Sequence, residues 1–191
     1  MIDIRPAADR TANLVTSVAD EQLDLPTPCP DSSLGDLLDH VGSFSRAFLA
    51  SARKQVGNGS GPPPAPSAAN LGPGWRDHIA GDLHALADAW QEPQAWEGFT
   101  NAGGIDLPAE VAGLVVLDEL VVHGWDIAVA SGQAYQPTVP EIDAAMSFVG
   151  SFEAPRDGSL FGPIVPVADT ASALDRLIGL TGRDPSWQPP A

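Results

Sequence analysis

LVVLDELVVHGWD, residues 114–126, decides the fold. Val115, Val116, Leu120, Val121 and Val122 enclose one glutamate, Glu119, and one histidine, His123, in the most apolar run of the chain. Residues four apart on a helix lie above one another on one face, so these two side chains point together toward one spot. A carboxylate held in hydrocarbon costs several kcal/mol or more unless it is paired, protonated or bound to a cation. The chain must therefore bring an ion or an ion pair to this helix from elsewhere.

Spacing by itself is weak, since Asp36/His40, His78/Asp82 and His84/Asp88 repeat it. Surroundings separate the cases. WRDHIAGDLHALADAW, residues 75–90, is mixed polar, and its two histidines read as solvated helix faces. His40 instead lies three after Leu37 and four before Phe44, within or on the edge of an apolar stripe. It is either a third ligand or a core histidine satisfied by a carbonyl or by Asp36.

Outward from the central helix, expected over Ala109 to about Ala130 and stopped by Ser131 and Gly132, the chain reads as helices joined by Pro/Gly segments. Arg5 to Asp20 makes a first amphipathic helix with Pro6 in its first turn. The prolines of LDLPTPCPD force an extended connection to a second helix, Ser33 to Lys54, capped by Asp31, Ser32 or Ser33, the last forming a capping-box variant with Asp36. Residues 56–74, rich in Gly, Pro, Ser and Ala, read as a flexible surface loop within the domain. A third helix spans Trp75 to Trp90. AWEGFTNAGGIDLP, residues 95–108, suits a small hairpin or a crossover. A fifth helical pattern covers Val139 to Phe152, with Thr138 and Glu141 at its start, and a short one runs from Ala168 to Leu180, capped by Asp169 or Thr170 and stopped by Gly182. The expectation is one all-α domain over residues 1–191, four main helices bundled with one or two accessory helices.

The chain has 191 residues and a net charge of −16, with nine basic residues against 25 acidic ones. That balance argues against an electrostatic grip on nucleic acid or an anionic membrane. One cysteine, Cys29, excludes an internal disulfide framework and reads as buried and inert. No apolar run reaches the ~20 residues needed to span a bilayer, and the start lacks a secretory signal, so a cytoplasmic location is expected.

Two imidazoles and a carboxylate from His40, His123 and Glu119 would suit Zn²⁺ foremost, or Ni²⁺ or Fe²⁺, with a position left open for chemistry. Structural zinc ordinarily takes four cysteine-rich ligands, which this chain cannot supply. Asp126, three after His123, is a candidate to orient it from behind, and Trp125 a candidate pocket lining.

TPCPDSSLGDLLDHV, then LDELVVHGWDIAVASGQ, then FGPIVPV and LDRLIGLTGRDPSW, in that order, resemble the actinobacterial proteins of the mycothiol-dependent maleylpyruvate isomerase type, in the DinB/YfiT-like metal-binding superfamily. The resemblance covers nearly the whole chain. It implies a DinB-like four-helix bundle whose divalent metal, usually zinc, is held by His40, Glu119 and His123. It also implies thiol chemistry, in which mycothiol or a related low-molecular-weight thiol is activated at the metal and delivered to a small electrophile. Two departures stand out: Ser32-Ser33 occupies a place where relatives often have Trp, and the isomerases carry a further C-terminal domain that contributes to catalysis. A chain of this length leaves no room for that domain, so that specific isomerisation is not expected. The leading expectation is a metal-dependent thiol transferase or conjugating enzyme, monomer or homodimer; a binding or sensor protein and a metal-assisted hydrolase are the alternatives.

Overall fold

The computed structural model describes residues 1–30, 32–55, 64–151, 156 and 160–190. Its elements are α1 (Arg5–Ser17), α2 (Leu34–Ala52), α3 (Trp75–Trp90), a hairpin of β1 (Phe99–Ala102) and β2 (Ile105–Pro108), α4 (Ala109–Ser131), α5 (Val139–Gly150) and α6 (Ala173–Leu180). α3 packs on both α1 and α2, and so does α4, which closes a four-helix ring with α3 and α4 across from one another. α5 lies on α4, and α6 lies on α5. The fold is the expected all-α, DinB-like one.

The termini follow local chemistry. Ser33 caps α2: its Oγ accepts from the Asp36 N–H at 3.2 Å, and Asp36 accepts in return from the Ser33 N–H at 3.0 Å. Asp31, the other acidic cap candidate, lies outside the described residues, as do 56–63 of the expected loop and Phe152 at the expected end of the fifth helix. The rest of that loop includes a 3₁₀ turn, Ala68–Asn70, whose first N–H donates to Asp36 at 2.8 Å. α1 ends three residues early: after an extended Val18, residues Asp20–Gln22 form a separate 3₁₀ turn. α6 starts at Ala173 rather than Ala168, because Ser172, not Asp169 or Thr170, has the downstream N–H in reach; its Oγ accepts from Asp175 at 3.0 Å.

The Gly103-Gly104 pair, both at positive φ, turns β1 back onto β2 with Phe99 opposite Pro108. The buried Thr100 hydroxyl donates to the Ser51 carbonyl at 2.7 Å, tying the hairpin to the end of α2.

α4 is apolar around most of its circumference. Val116, Leu117, Leu120, Val121, Ile127 and Ala128 are all fully buried, each large side chain contributing roughly 1.5–3 kcal/mol through loss of water contact. Close approach at its back needs Gly124: a Cβ there would stand 2.9 Å from the Tyr135 hydroxyl and 3.2 Å from Thr11 Oγ1. Tyr135 donates to the Val121 carbonyl at 2.8 Å, which fixes the helix from the side opposite its charged stripe.

Candidate metal centre

Val115, Asp118/Glu119, Val122/His123 and Asp126 recur at three- and four-residue steps along α4 and so form one stripe. α2 presents His40 to it. Asp36, which shares a face with His40, is occupied at the helix start, and the His40 ring turns across the bundle instead.

Its Nε2 lies 3.1 Å from Glu119 Oε2, and His123 Nε2 lies 3.1 Å from the same oxygen. The two imidazole rings meet edge to face with centroids 4.9 Å apart. One ligand atom from each of the three residues falls within 4.8 Å of the others. Two ligands of a tetrahedral ion at ~2.0–2.1 Å stand roughly 3.4 Å apart, so the gaps around Glu119 have the size such an ion needs.

Behind the centre the polar groups continue. His123 Nδ1 is 2.9 Å from Asp126 Oδ2, which leaves Nε2 as the nitrogen facing Glu119. Asp126 has no exposed side-chain surface, and its charge is met by Arg183, whose Nε donates to Oδ1 at 2.9 Å and whose Nη2 donates to Oδ2 at 2.9 Å. Arg183 comes to this place because Gly182, at φ +90°, packs directly on Gly162; a Cβ there would stand 2.7 Å from Gly162 Cα.

This string of charges sets the protonation of its members. Burial works to raise Glu119, but the hydrogen bonds and charge of His123, then of His40, hold it below the ordinary carboxylate range. Burial works to lower His123, and its bonds to Asp126 and Glu119 outweigh that and push it up to about 10. Asp126 is held low by Arg183 and His123 against its own burial. Asp118 goes the other way, pushed up to about 8 by burial and then by the neighbouring Glu119 charge.

A cavity open to the surface reaches the centre; Val115, Asp118, Glu119, Val122, His123, Phe148, Leu160, Phe161 and Arg183 line it. Its walls are thus apolar apart from the donor set, Asp118 and Arg183. Trp125 does not line it. Trp125 is buried within the bundle instead. Cys29 is half-buried and lines an adjoining cavity that also borders Leu160 and Arg183. His78 and His84 are exposed on α3, and His84 faces Asp9 at 3.6 Å rather than Asp88.

Sequence reasoning missed Asp118 and Arg183. Asp118 stood in plain view beside Glu119 in the same apolar run, an acid in hydrocarbon that deserved the same question. Arg183 stands within the quoted segment LDRLIGLTGRDPSW, but nothing near it pointed to Asp126.

The sequence matches the family model described as mycothiol maleylpyruvate isomerase N-terminal domain over residues 4–128, a span that holds α1 to α3, the hairpin and nearly all of α4. Two Mycobacterium tuberculosis proteins described as uncharacterized, from strains CDC 1551 / Oshkosh and ATCC 25618 / H37Rv, are each 29% identical to it over 191 residues, covering 93% of this chain and 93% of the relative. No solved structure matches the chain. Among the described residues no helix is long and apolar enough to cross a membrane.

Proposed function

The chain belongs to the mycothiol maleylpyruvate isomerase N-terminal domain family, and from that premise we propose that it is a metal-dependent thiol transferase or conjugating enzyme acting on a small electrophile. His40, Glu119 and His123 hold the divalent ion, zinc foremost, and mycothiol or a similar small thiol is the cosubstrate. The observation that carries this reading is the cavity that opens on Glu119 and His123. Three protein donors leave a position free, and the free position faces a space a small molecule can enter.

When bound there, the ion supplies positive charge that favours the deprotonated form of a thiol. The thiolate is the attacking form. Sulfur forms a new S–C bond, its proton goes to solvent, and the displaced electron pair leaves with the leaving group or moves into the electrophile's own unsaturation. The chain's residues prepare this. Asp126 holds the His123 Nδ1 proton and so keeps Nε2 turned inward; Arg183 keeps Asp126 ionised in its buried place. Val115, Val122, Phe148 and Phe161 keep bulk water from the reacting sulfur.

The test is turnover of mycothiol with a generic electrophile by zinc-loaded wild type and by His123→Ala. Loss of turnover in the variant is expected; equal rates refute the reading.

A further inference from the structure

One carboxyl on the cavity wall carries an oxygen with no hydrogen-bond partner among the described residues. Asp118 is 6% exposed, and its Oδ1 is fully buried with no hydrogen-bond partner among the described residues. The other acids of the stripe are satisfied, Glu119 by the two histidines and Asp126 by His123 and Arg183. Buried polar atoms are nearly always bonded, and an orphan is a reason to ask what completes it. Apart from Glu119, His123 and Arg183, whose bonds are already described, the cavity wall around it is apolar.

We propose that Asp118 selects the ligand of this cavity: its unpartnered oxygen accepts a hydrogen bond from an O–H or N–H group carried a few atoms from the reacting sulfur. The inference rests on the thiol reading above and adds the chemical class of thiol, one that bears a donor, to it. A thiol with a hydroxyl, amide N–H or ammonium group near its sulfur satisfies Asp118 when it reaches the centre, whereas an alkanethiol of the same length leaves the oxygen bare. Discrimination of this kind is steep, because the wrong ligand leaves a desolvated acceptor behind.

The experiment uses the full chain loaded with Co²⁺, with binding read from the thiolate-to-cobalt absorption band. The probes are 2-mercaptoethanol and propane-1-thiol, alike in length and differing in the terminal hydroxyl. The affinity ratio, hydroxyl over alkyl, is expected to fall about tenfold from wild type to Asp118→Ala, while cobalt content stays constant and Asp118→Asn, which keeps an acceptor, retains most of the preference. Metal-free Asp118→Leu is expected to melt at a higher temperature than wild type, as when a binding residue has been held at the expense of stability. An unchanged ratio in Asp118→Ala and Asp118→Leu, or a lower melting temperature in Asp118→Leu, overturns the assignment of Asp118 alone. If neither thiol binds wild type, the thiol reading falls and takes this inference with it.

Discussion

α3 and α4 carry the same pattern, acid and histidine four residues apart, and put it to opposite uses. On α3, His78 and His84 are exposed and their i+4 acids look elsewhere: Asp82 pairs with Arg46 at 3.0 Å and Asp88 with Arg5. On α4, Glu119 and His123 stand 3.1 Å apart in an apolar wall and are joined by an imidazole from another helix. The difference is desolvation. In water a histidine and an acid have many other partners, and a surface pair is worth little; in a dry wall they must find each other, and whatever third group arrives is held in place.

The sharpest way to break this comparison is to remove one member from each helix and measure bound metal. Glu119→Ala or His123→Ala is expected to lower zinc affinity by about three orders of magnitude, since each of three ligands carries a large share of the binding energy. His78→Ala and His84→Ala should leave it unchanged in a chelator competition. Zinc retained by the α4 variants would mean the donor set is wrong.

Arg183→Ala strips the counter-charge from buried Asp126 and is expected to cost about 3 kcal/mol in denaturant unfolding, because the surviving buried carboxylate keeps only His123 as a partner. The same change in an exposed pair, Arg46→Ala opposite Asp82, should cost no more than ~0.5 kcal/mol. Similar losses for both would show that the buried stripe is wetter than its exposure implies.

Asp36 sits between these extremes, half-buried and bonded to two backbone N–H groups and the Ser33 hydroxyl. Replacing it with Ala should cost about 1 kcal/mol as a lost cap. Those bonds hold its carboxyl below its ordinary value of 3.8. Its contribution is therefore present in full above that value and is lost as pH falls through the lower, folded one. The stability difference between wild type and Asp36→Ala should shrink in acid melts below about pH 4 and be flat near neutrality. The smallest expected effect is His84→Ala, within about 0.5 kcal/mol of wild type.

What the sequence made legible follows from the same physics. Helix positions and the Ser33 cap were readable because periodicity and cap chemistry act within a few residues. Glu119 and His123 were readable because a charged side chain in an apolar run announces a missing partner, whereas His40 stayed open between ligand and core histidine until the resemblance favoured a ligand. Asp126 was visible as a neighbour of His123, but Arg183, 57 residues further on, was not; what aims it is a glycine-on-glycine backbone contact with no trace in local pattern. Trp125, open in the sequence between lining the pocket and packing, is buried and absent from the cavity wall. Asp118 shows the limit from the other direction: an acid beside an acid gives no hint of which will be satisfied until the neighbouring helices are in place.

The donor triad comes from α2 and α4, while Phe148, Leu160, Phe161 and Arg183 of the cavity wall all belong to the chain that follows α4. Anchor and rim are therefore separable in the gene. Grafting a different tail after α4, with an arginine kept at 183 to neutralise Asp126, should retune which molecules gain entry while His40, Glu119 and His123 keep their mutual geometry.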